Sequence, residues 1–281
     1  KEDSTAVLLD YGLNPGKNIT HPLHVRPRDI KALISTHAHL DHIGYEPYLY
    51  IDGNVPNYAT PVTIELSELL LMDLLNISGD KLPFTAKEVA KLKKMSRAVG
   101  YNETFKINDL KAELLNAGHI PGSAMVYLEG EKRVLYTGDI NHIPTRLLEP
   151  AGYDLPEVDY FISECTYAMQ DHPERKDEEK RLIEFSDEII EDEGTVLVPS
   201  FAVGRAQELA EIYYSHGFKH DVYMDGMALT VNDILLRHPE YVKEPDFLRS
   251  TLDYVKYVST WEDRRKIVKE PVAIISPAGM L

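Results

Sequence analysis

Metal-ligand side chains are crowded into one short segment of this sequence. The segment ISTHAHLDHIG, residues 34–44, ends an apolar, strand-like run and then places four such residues within six positions: His37, His39, Asp41 and His42. Imidazole and carboxylate are ligands that Zn²⁺ and similar ions prefer, whereas packing rarely needs them at this density. Because alternate residues of an extended segment project to one side, the first three could face one metal and the fourth a second. The alternative is four solvated loop residues.

Two further candidates follow apolar strands downstream. His119 lies between small residues in NAGHIPGSAM, and Asp139 ends the strand-like segment LYTGDIN. Either residue alone is more often structural than functional. Both come after strands that follow the cluster, which is the placement that a metal site at one edge of a sheet requires. One catalytic metal needs about four ligands, of which one is water.

The composition is that of a soluble globular protein, with 281 residues, 43% of them hydrophobic and 27% charged. No apolar run approaches the roughly 20 residues of a membrane span, so no membrane association is predicted. The single cysteine, Cys165, is interpreted as a small buried side chain and fits a reducing, cytoplasmic environment. The net charge of −16 disfavours a general nucleic-acid binder. A bound metal pair would nevertheless add about +4 at one place.

The pattern of apolar residues divides the chain into two parts. Strand patterns lie at residues 4–12, 29–36, 111–118, 123–129, 133–139 and 158–164, the last predicted to be buried, and helical patterns at 64–79 and 85–100. After a charged helix that ends at Gly194, strands at 195–201, 221–226 and 272–276 alternate with helices at 204–216, 229–242 and near Trp261. This alternation predicts parallel βαβ units. We therefore expect one domain over residues 1–168 and a second over residues 169–281.

Both ends of the sequence fall at strand-like segments. The chain begins close to a strand and stops at ISPAGML, directly after an apolar strand and its turn. Natural termini rarely fall at such places. We therefore expect a chain that is truncated at both ends.

Several motifs resemble those of a known family. LLDYG, THAHLDH, AGHIPGS and TGD, in this order, resemble the metallo-β-lactamase superfamily. ISECTY and VPSFAVGRAQEL are similar to the β-CASP nucleases, most of all to the RNA-cleaving subunit of the cleavage and polyadenylation specificity factor and its archaeal relatives. The resemblance implies an α/β fold, with a four-layer αββα core, an inserted α/β β-CASP domain, and RNA in the cleft between them.

The resemblance also implies a site for two Zn²⁺ ions. It assigns His37, His39 and His119 to one zinc. It assigns Asp41 and His42 to the other, and Asp139 to both. Asp10 in LLDYG matches an aspartate that orients the ligands, and Glu164 in SECTY matches an acidic residue that supports the general-acid histidine. Asp10, Asp41 and Glu164 are thus the catalytic candidates. The family's last ligand histidine and its general acid come after the β-CASP insertion, beyond Leu281.

Contacts to RNA phosphates are predicted in the second domain. Gly204 and Arg205 lie at a strand-to-helix turn, where free backbone N–H groups and a guanidinium suit a phosphate. Ser276 lies at a similar strand end. The alternative is an ordinary turn glycine and a surface arginine.

Together these features predict a zinc-dependent ribonuclease that acts on single-stranded RNA, as an endonuclease and in a second mode as a 5′-to-3′ exonuclease. Three alternatives stay open: a DNA-repair nuclease of the same family, a small-molecule hydrolase of the superfamily, and a non-catalytic scaffold subunit of an RNA 3′-end processing complex. A homodimer and the subunits of a processing complex are the candidate protein partners.

Overall fold

The computed structural model describes residues 6–14, 20–152 and 154–277. Residues 4 and 5 of the first predicted strand lie outside this range. The chain divides into two compact units. Unit 1 comprises the residues through Ile143 together with Pro150–Glu164, and unit 2 comprises Pro144–Glu149 and the residues from Cys165 onward. The sequence predicts a boundary near residue 169.

Unit 1 contains two β-sheets. The first has four parallel strands in the spatial order β1-β2-β3-β4, which are Ala6–Leu9, Ile30–Ile34, Asn57–Ala59 and Ser96–Ala98. The second has five strands in the order β5-β6-β7-β8-β9, which are Thr104–Ile107, Leu110–Asn116, Ala124–Glu129, Arg133–Tyr136 and Tyr160–Ile162. Successive strands from β5 to β8 pair in antiparallel orientation, and β9 is parallel to β8. Residues 130–132 connect β7 to β8.

The described residues of unit 1 include three α-helices: α1 at Leu40–Ile43, α2 at Pro61–Ser78 and α3 at Ala86–Met95. Helix α3 begins with a capping box, in which the Thr85 side chain accepts a hydrogen bond from the backbone and the Glu88 side chain accepts one from the Thr85 N–H. Helix α2 has Thr60 as its N-cap and Pro61 in its first turn.

Apolar side chains join these layers. Ala32 and Ile34 of β2 pack with Leu114 and Val126 of the second sheet, so the two sheets form a sandwich. The other face of the first sheet packs against α2 and α3 through Leu33, Leu71 and Leu92, among others. Apolar side chains of Ile140, Ala151, Leu155 and Val158 pack against the outer face of the second sheet.

Two predictions for unit 1 are wrong. The second helix ends at Met95 rather than near Gly100, because Ser96–Ala98 pairs with β3. The Ser96 hydroxyl donates to Leu92 O and so satisfies a carbonyl in the last turn of the helix. The strand near residue 160 is an exposed edge strand and not a buried one, since Phe161 is 58% exposed.

Unit 2 contains one parallel sheet in the order β10-β13-β11-β12, with strands Val196–Ser200, Ala273–Pro277, Val222–Met224 and Lys256–Tyr257. Its helices are α4 at Arg175–Glu191, α5 at Arg205–Ser215, α6 at Ala228–Arg237, α7 at Pro245–Tyr254 and α8 at Trp261–Ile267. The predicted parallel βαβ arrangement is confirmed. The helix predicted over 229–242 ends at Arg237, just before Pro239, and α7 is an additional helix. Cys165 is exposed, so the prediction that it is buried is wrong.

Candidate metal centre

Four strand ends of unit 1 converge on one site. Asp10 directly follows β1, and the loop that carries His37 and His39 follows β2. His119 follows β6, and Asp139 follows β8. Strands β1 and β2 are parallel to each other, and β6 and β8 run in the same direction because each is antiparallel to β7. The sheet edge predicted from the sequence is therefore formed by both sheets of the sandwich.

Three histidines and one carboxylate form the centre of this site. Ligand atoms of His37, His39, His119 and Asp139 all lie within 4.8 Å of one another. His39 Nδ1 lies 3.2 Å from His37 Nε2 and 3.1 Å from His119 Nε2. Tetrahedral zinc bonds of about 2.0–2.1 Å would place neighbouring nitrogens roughly 3.3–3.4 Å apart. The spacing of the ring nitrogens thus fits one zinc-sized ion.

The Asp139 carboxylate faces two groups of imidazoles. Its Oδ2 lies 3.4 Å from His119 Nε2 and 3.7 Å from His37 Nε2. Its Oδ1 lies 3.1 Å from Nε2 of His42, which is outside the four-residue centre. One carboxylate oxygen is therefore directed to each group.

Asp10 holds both the loop and His42 in place. Its carboxylate accepts hydrogen bonds from Thr36 N at 2.7 Å and from the Thr36 hydroxyl at 2.8 Å. It also contacts His42 Nδ1 at 2.8 Å and accepts a bond from the Tyr136 hydroxyl at 3.2 Å. A proton on His42 Nδ1 leaves the Nε2 lone pair of a neutral ring free for a ligand. The backbone of Asp10 is left-handed, with φ of 59°.

Burial and charge set the protonation of these histidines. Burial and the neighbouring His42 keep the pKa of His37 well below its ordinary value. Burial and His119 lower the pKa of His39 to about 4. Burial also disfavours the His42 cation, but hydrogen bonds to Asp10 and Asp139 raise the pKa of His42 to about 10. His37 and His39 are thus neutral imidazoles, which is the form that binds metal.

The other predicted residues of unit 1 lie outside this centre. Asp41 is exposed at the start of α1 and is absent from the four-residue centre, although its charge reaches His39. Glu164 follows β9, the neighbour of the strand that leads to Asp139, and its backbone N–H donates to the Thr137 hydroxyl at 3.4 Å.

The predicted phosphate contacts lie in unit 2. Gly204 precedes α5 with φ of 78°, and its N–H donates to Gln207 Oε1 at 2.9 Å. Arg205 N donates to Val203 O. These two backbone groups are therefore not the free donors that the sequence predicts, but the Arg205 side chain is exposed. Ser276 is fully buried in β13.

The sequence analysis does not identify two residues that contact the site, Thr36 and Tyr136. Thr36 lies within the ligand segment and supplies two hydrogen bonds to Asp10, and Tyr136 reaches the same carboxylate from β8. The sequence feature that could have identified Thr36 is its position directly before the ligand His37. For Tyr136 the available signal is that it lies three residues before Asp139, on the strand that carries that ligand.

Comparison with known proteins agrees with this site. Residues 1–190 match the metallo-beta-lactamase superfamily. The chain is 39% identical to RNase aCSPSF2 of Saccharolobus solfataricus over 98% of its own length and 57% of that protein. It is 35% identical to Probable RNase MJ4 of Methanocaldococcus jannaschii, over 100% of this chain and 69% of the relative. It is 36% identical to Transcription termination factor FttA of the same organism, over 99% of this chain and 48% of that relative.

The chain thus spans from about half to about two thirds of these relatives. None of the helices within the described residues has the length and apolar character needed to cross a membrane. The names of the relatives agree with the predicted resemblance to the β-CASP RNA nucleases. The match to the family over two thirds of the sequence, together with the histidines and carboxylate at its strand ends, shows that the chain belongs to the metallo-beta-lactamase superfamily.

Proposed function

We propose that this chain carries the metal centre of a zinc-dependent ribonuclease of the β-CASP group. The observation that carries the proposal is the position of Asp139, with one carboxylate oxygen toward His37 and His119 and the other toward His42. A carboxylate in this position suits a pair of cations. The RNase names of two relatives favour RNA as the substrate.

Two metal positions account for the arrangement of ligands. His37, His39 and His119 would hold one zinc, and their ring nitrogens have a suitable spacing. Nε2 of His42 would face the second, with the exposed Asp41 as a further ligand from the same loop, and Asp139 would contact both. Zinc ions bound there would lower the pKa of water and neutralise charge on phosphoryl oxygens.

The protein's own residues would orient the ligands and the RNA. Asp10 accepts the Nδ1 proton of His42 and so directs Nε2 toward the site. Glu164 would support a general acid that protonates the leaving oxygen. In unit 2, the exposed Arg205 guanidinium would contact an RNA phosphate. Gly204 and Ser276 would contribute to the shape of the surface around that contact rather than donate to the phosphate. The reason is that the Gly204 N–H is bonded to Gln207 and Ser276 is buried.

Asp139→Asn tests this function in assays of matched RNA and DNA strands. We expect RNA cleavage to fall by at least about a hundredfold, because a neutral amide cannot hold two dications together. RNA binding should persist, whereas Arg205→Ala should weaken binding more than cleavage at saturating RNA. Asp109→Asn, an exposed aspartate in the turn between β5 and β6, is the matched control.

Three outcomes would contradict the proposal. Asp139→Asn that cleaves at the parental rate with unchanged metal content would exclude the bridging role. Metal analysis of protein purified without chelators that finds no zinc would exclude the cofactor. Cleavage of DNA but not of the matching RNA would favour a DNA-repair nuclease.

A further inference from the structure

A small cavity lined by both polar and apolar residues lies behind the metal-binding loop of unit 1. It has a volume of about 10 Å³ and lies between the first sheet and helices α2 and α3. Four of its lining residues are Glu46, Asn57, Ser67 and Ser96. Glu46 is 0% exposed, and it follows His42 by only four positions. None of these four residues belongs to the metal centre described above.

With Asn57 Oδ1 facing Ser35, the hydrogen bonds around Glu46 allow one arrangement of protons. The Ser35 hydroxyl lies 2.8 Å from Glu46 Oε1 and 3.0 Å from Asn57 Oδ1. It has one proton and cannot donate to both. Asn57 Oδ1 can only accept, so Ser35 donates to Asn57. Glu46 must then carry a proton and donate it to the Ser35 oxygen.

The orientation of the Asn57 amide supports this arrangement. Asn57 Nδ2 donates to Ser96 Oγ at 3.1 Å, and the Ser96 hydroxyl donates to Leu92 O at 2.9 Å. The reversed amide would need the Ser96 proton for itself and would leave the Leu92 carbonyl, in the last turn of α3, without that donor. With that amide Glu46 would only accept from Ser35, and an ionised carboxylate doing so would be fully buried, which is costly. Burial independently raises the pKa of Glu46 well above its ordinary value.

Two polar atoms at the cavity lack a partner among the described residues: Glu46 Oε2 and Ser67 Oγ. A buried polar atom without a hydrogen bond costs about 1–3 kcal/mol, so native structures rarely leave such atoms unpaired. A cavity of roughly 10–15 Å³ holds one water molecule when two or more polar groups line it. Size and lining therefore both match a single water.

We propose that Glu46 is a neutral carboxylic acid whose free oxygen, together with Ser67, binds one ordered water behind the metal-binding loop. The water donates to Glu46 Oε2 and to Ser67 Oγ. A metal cation is the less suitable occupant, because it would need an ionised Glu46 and would lie beside the Lys93 ammonium, which also lines the cavity. Lys93 is instead paired with Glu68 at 2.5 Å.

A crystal structure of the protein at a resolution that shows interior waters is the direct test. We expect one water within hydrogen-bond distance of both Glu46 Oε2 and Ser67 Oγ. An empty cavity, or a peak with the anomalous signal of a metal, would overturn the proposal.

Infrared difference spectra test the proton on Glu46. The spectrum of the protein minus that of Glu46→Gln should contain the C=O band of a carboxylic acid. The matched control is Glu68→Gln, which removes a partly exposed carboxylate at the same cavity and should show only carboxylate bands. Carboxylate bands from Glu46 would refute the assignment.

Thermal unfolding provides a third measurement. Glutamine can donate to Ser35 and accept from the water, so Glu46→Gln should keep the Tm within roughly 2 °C of the parent. Glu46→Leu loses both bonds and should lower the Tm by roughly 4–10 °C. If glutamine lowers the Tm as much as leucine does, or fails to fold, Glu46 is not neutral.

Discussion

Asp10→Asn removes one charge behind the metal centre and leaves the shape of the side chain unchanged. In the protein, the Asp10 carboxylate receives the Thr36 N–H on Oδ1. Its Oδ2 lies within hydrogen-bond distance of the Thr36 hydroxyl, His42 Nδ1 and the Tyr136 hydroxyl. An asparagine oxygen can keep the first bond. Its NH₂ group must replace Oδ2, and that group can donate but cannot accept.

The consequences for the three contacts of Oδ2 differ. The Thr36 and Tyr136 hydroxyls can rotate and accept from the new NH₂ group. His42 can accept only if its proton moves from Nδ1 to Nε2, the nitrogen that faces Asp139. The substitution therefore selects the histidine tautomer that cannot bind metal through Nε2.

The expected magnitudes follow from this exchange of bonds. One charge-assisted hydrogen bond is lost, so the metal-free protein should lose about 1.5–3 kcal/mol of unfolding free energy. Loss of a group that orients a ligand typically lowers metal affinity by about 10–100-fold. The effect should fall on the metal position that uses His42 and spare the position made by His37 and His39.

Three measurements examine these effects, each with Asp109→Asn as the control. Urea unfolding in the presence of a chelator gives the stability of the metal-free protein. Competition with a chromophoric chelator gives the zinc affinities, and ¹⁵N spectra of the imidazole rings in the zinc-loaded protein report which nitrogen of His42 carries the proton. If Asp10→Asn keeps the zinc affinities and the Nδ1 tautomer of the parent, Asp10 does not orient His42 and the reasoning is refuted.

Two further substitutions examine the packing of the loop and a buried acid. A Cβ on Gly12 would lie 1.6 Å from Asp41 O, so Gly12→Ala should displace α1 and cost at least about 2 kcal/mol in urea unfolding. Gly152→Ala, whose Cβ meets nothing within 4 Å, is the control, and equal losses would show that the loop does not pack against Gly12. Burial and the charge of Glu244 raise the pKa of Glu211, in α5, to about 8, from an ordinary value of 4.5. Its neutral form stabilises the fold, so the Tm of the parent should fall as the pH rises from 4.5 through 8, and the Tm of Glu211→Gln should fall less. Parallel Tm profiles for the two proteins would show that Glu211 does not ionise in this range.

The ligand positions could be predicted because each depends on a local pattern. Strands β2, β6 and β8 are four to seven residues long and rich in apolar residues, and the polar residue that follows such a segment lies at a strand end. The type of residue then indicates metal binding. His37, His39, His119 and Asp139 were predicted in this way and lie together in the structure.

The features that the sequence did not predict depend on contacts between distant residues. Ser96–Ala98 continues a helical pattern, but pairing with Asn57–Ala59 makes it a strand. The N–H of Gly204 would be free at an isolated helix start, yet the Gln207 side chain within the first turn occupies it. Glutamate is a residue type that usually lies at the surface, and only the fold shows that Glu46 is completely buried.

The two networks around the metal-binding loop have different chemical roles. Asp10 contacts the loop through Thr36 and His42 with a carboxylate that must be charged to receive its donors. Glu46 contacts the same segment through Ser35 with a carboxyl group that must be neutral to donate. Since Ser35 and Thr36 are adjacent, the two acids hold neighbouring residues of one loop in opposite protonation states. An amide should therefore replace Glu46 with little effect and should fail at Asp10, although both acids are buried.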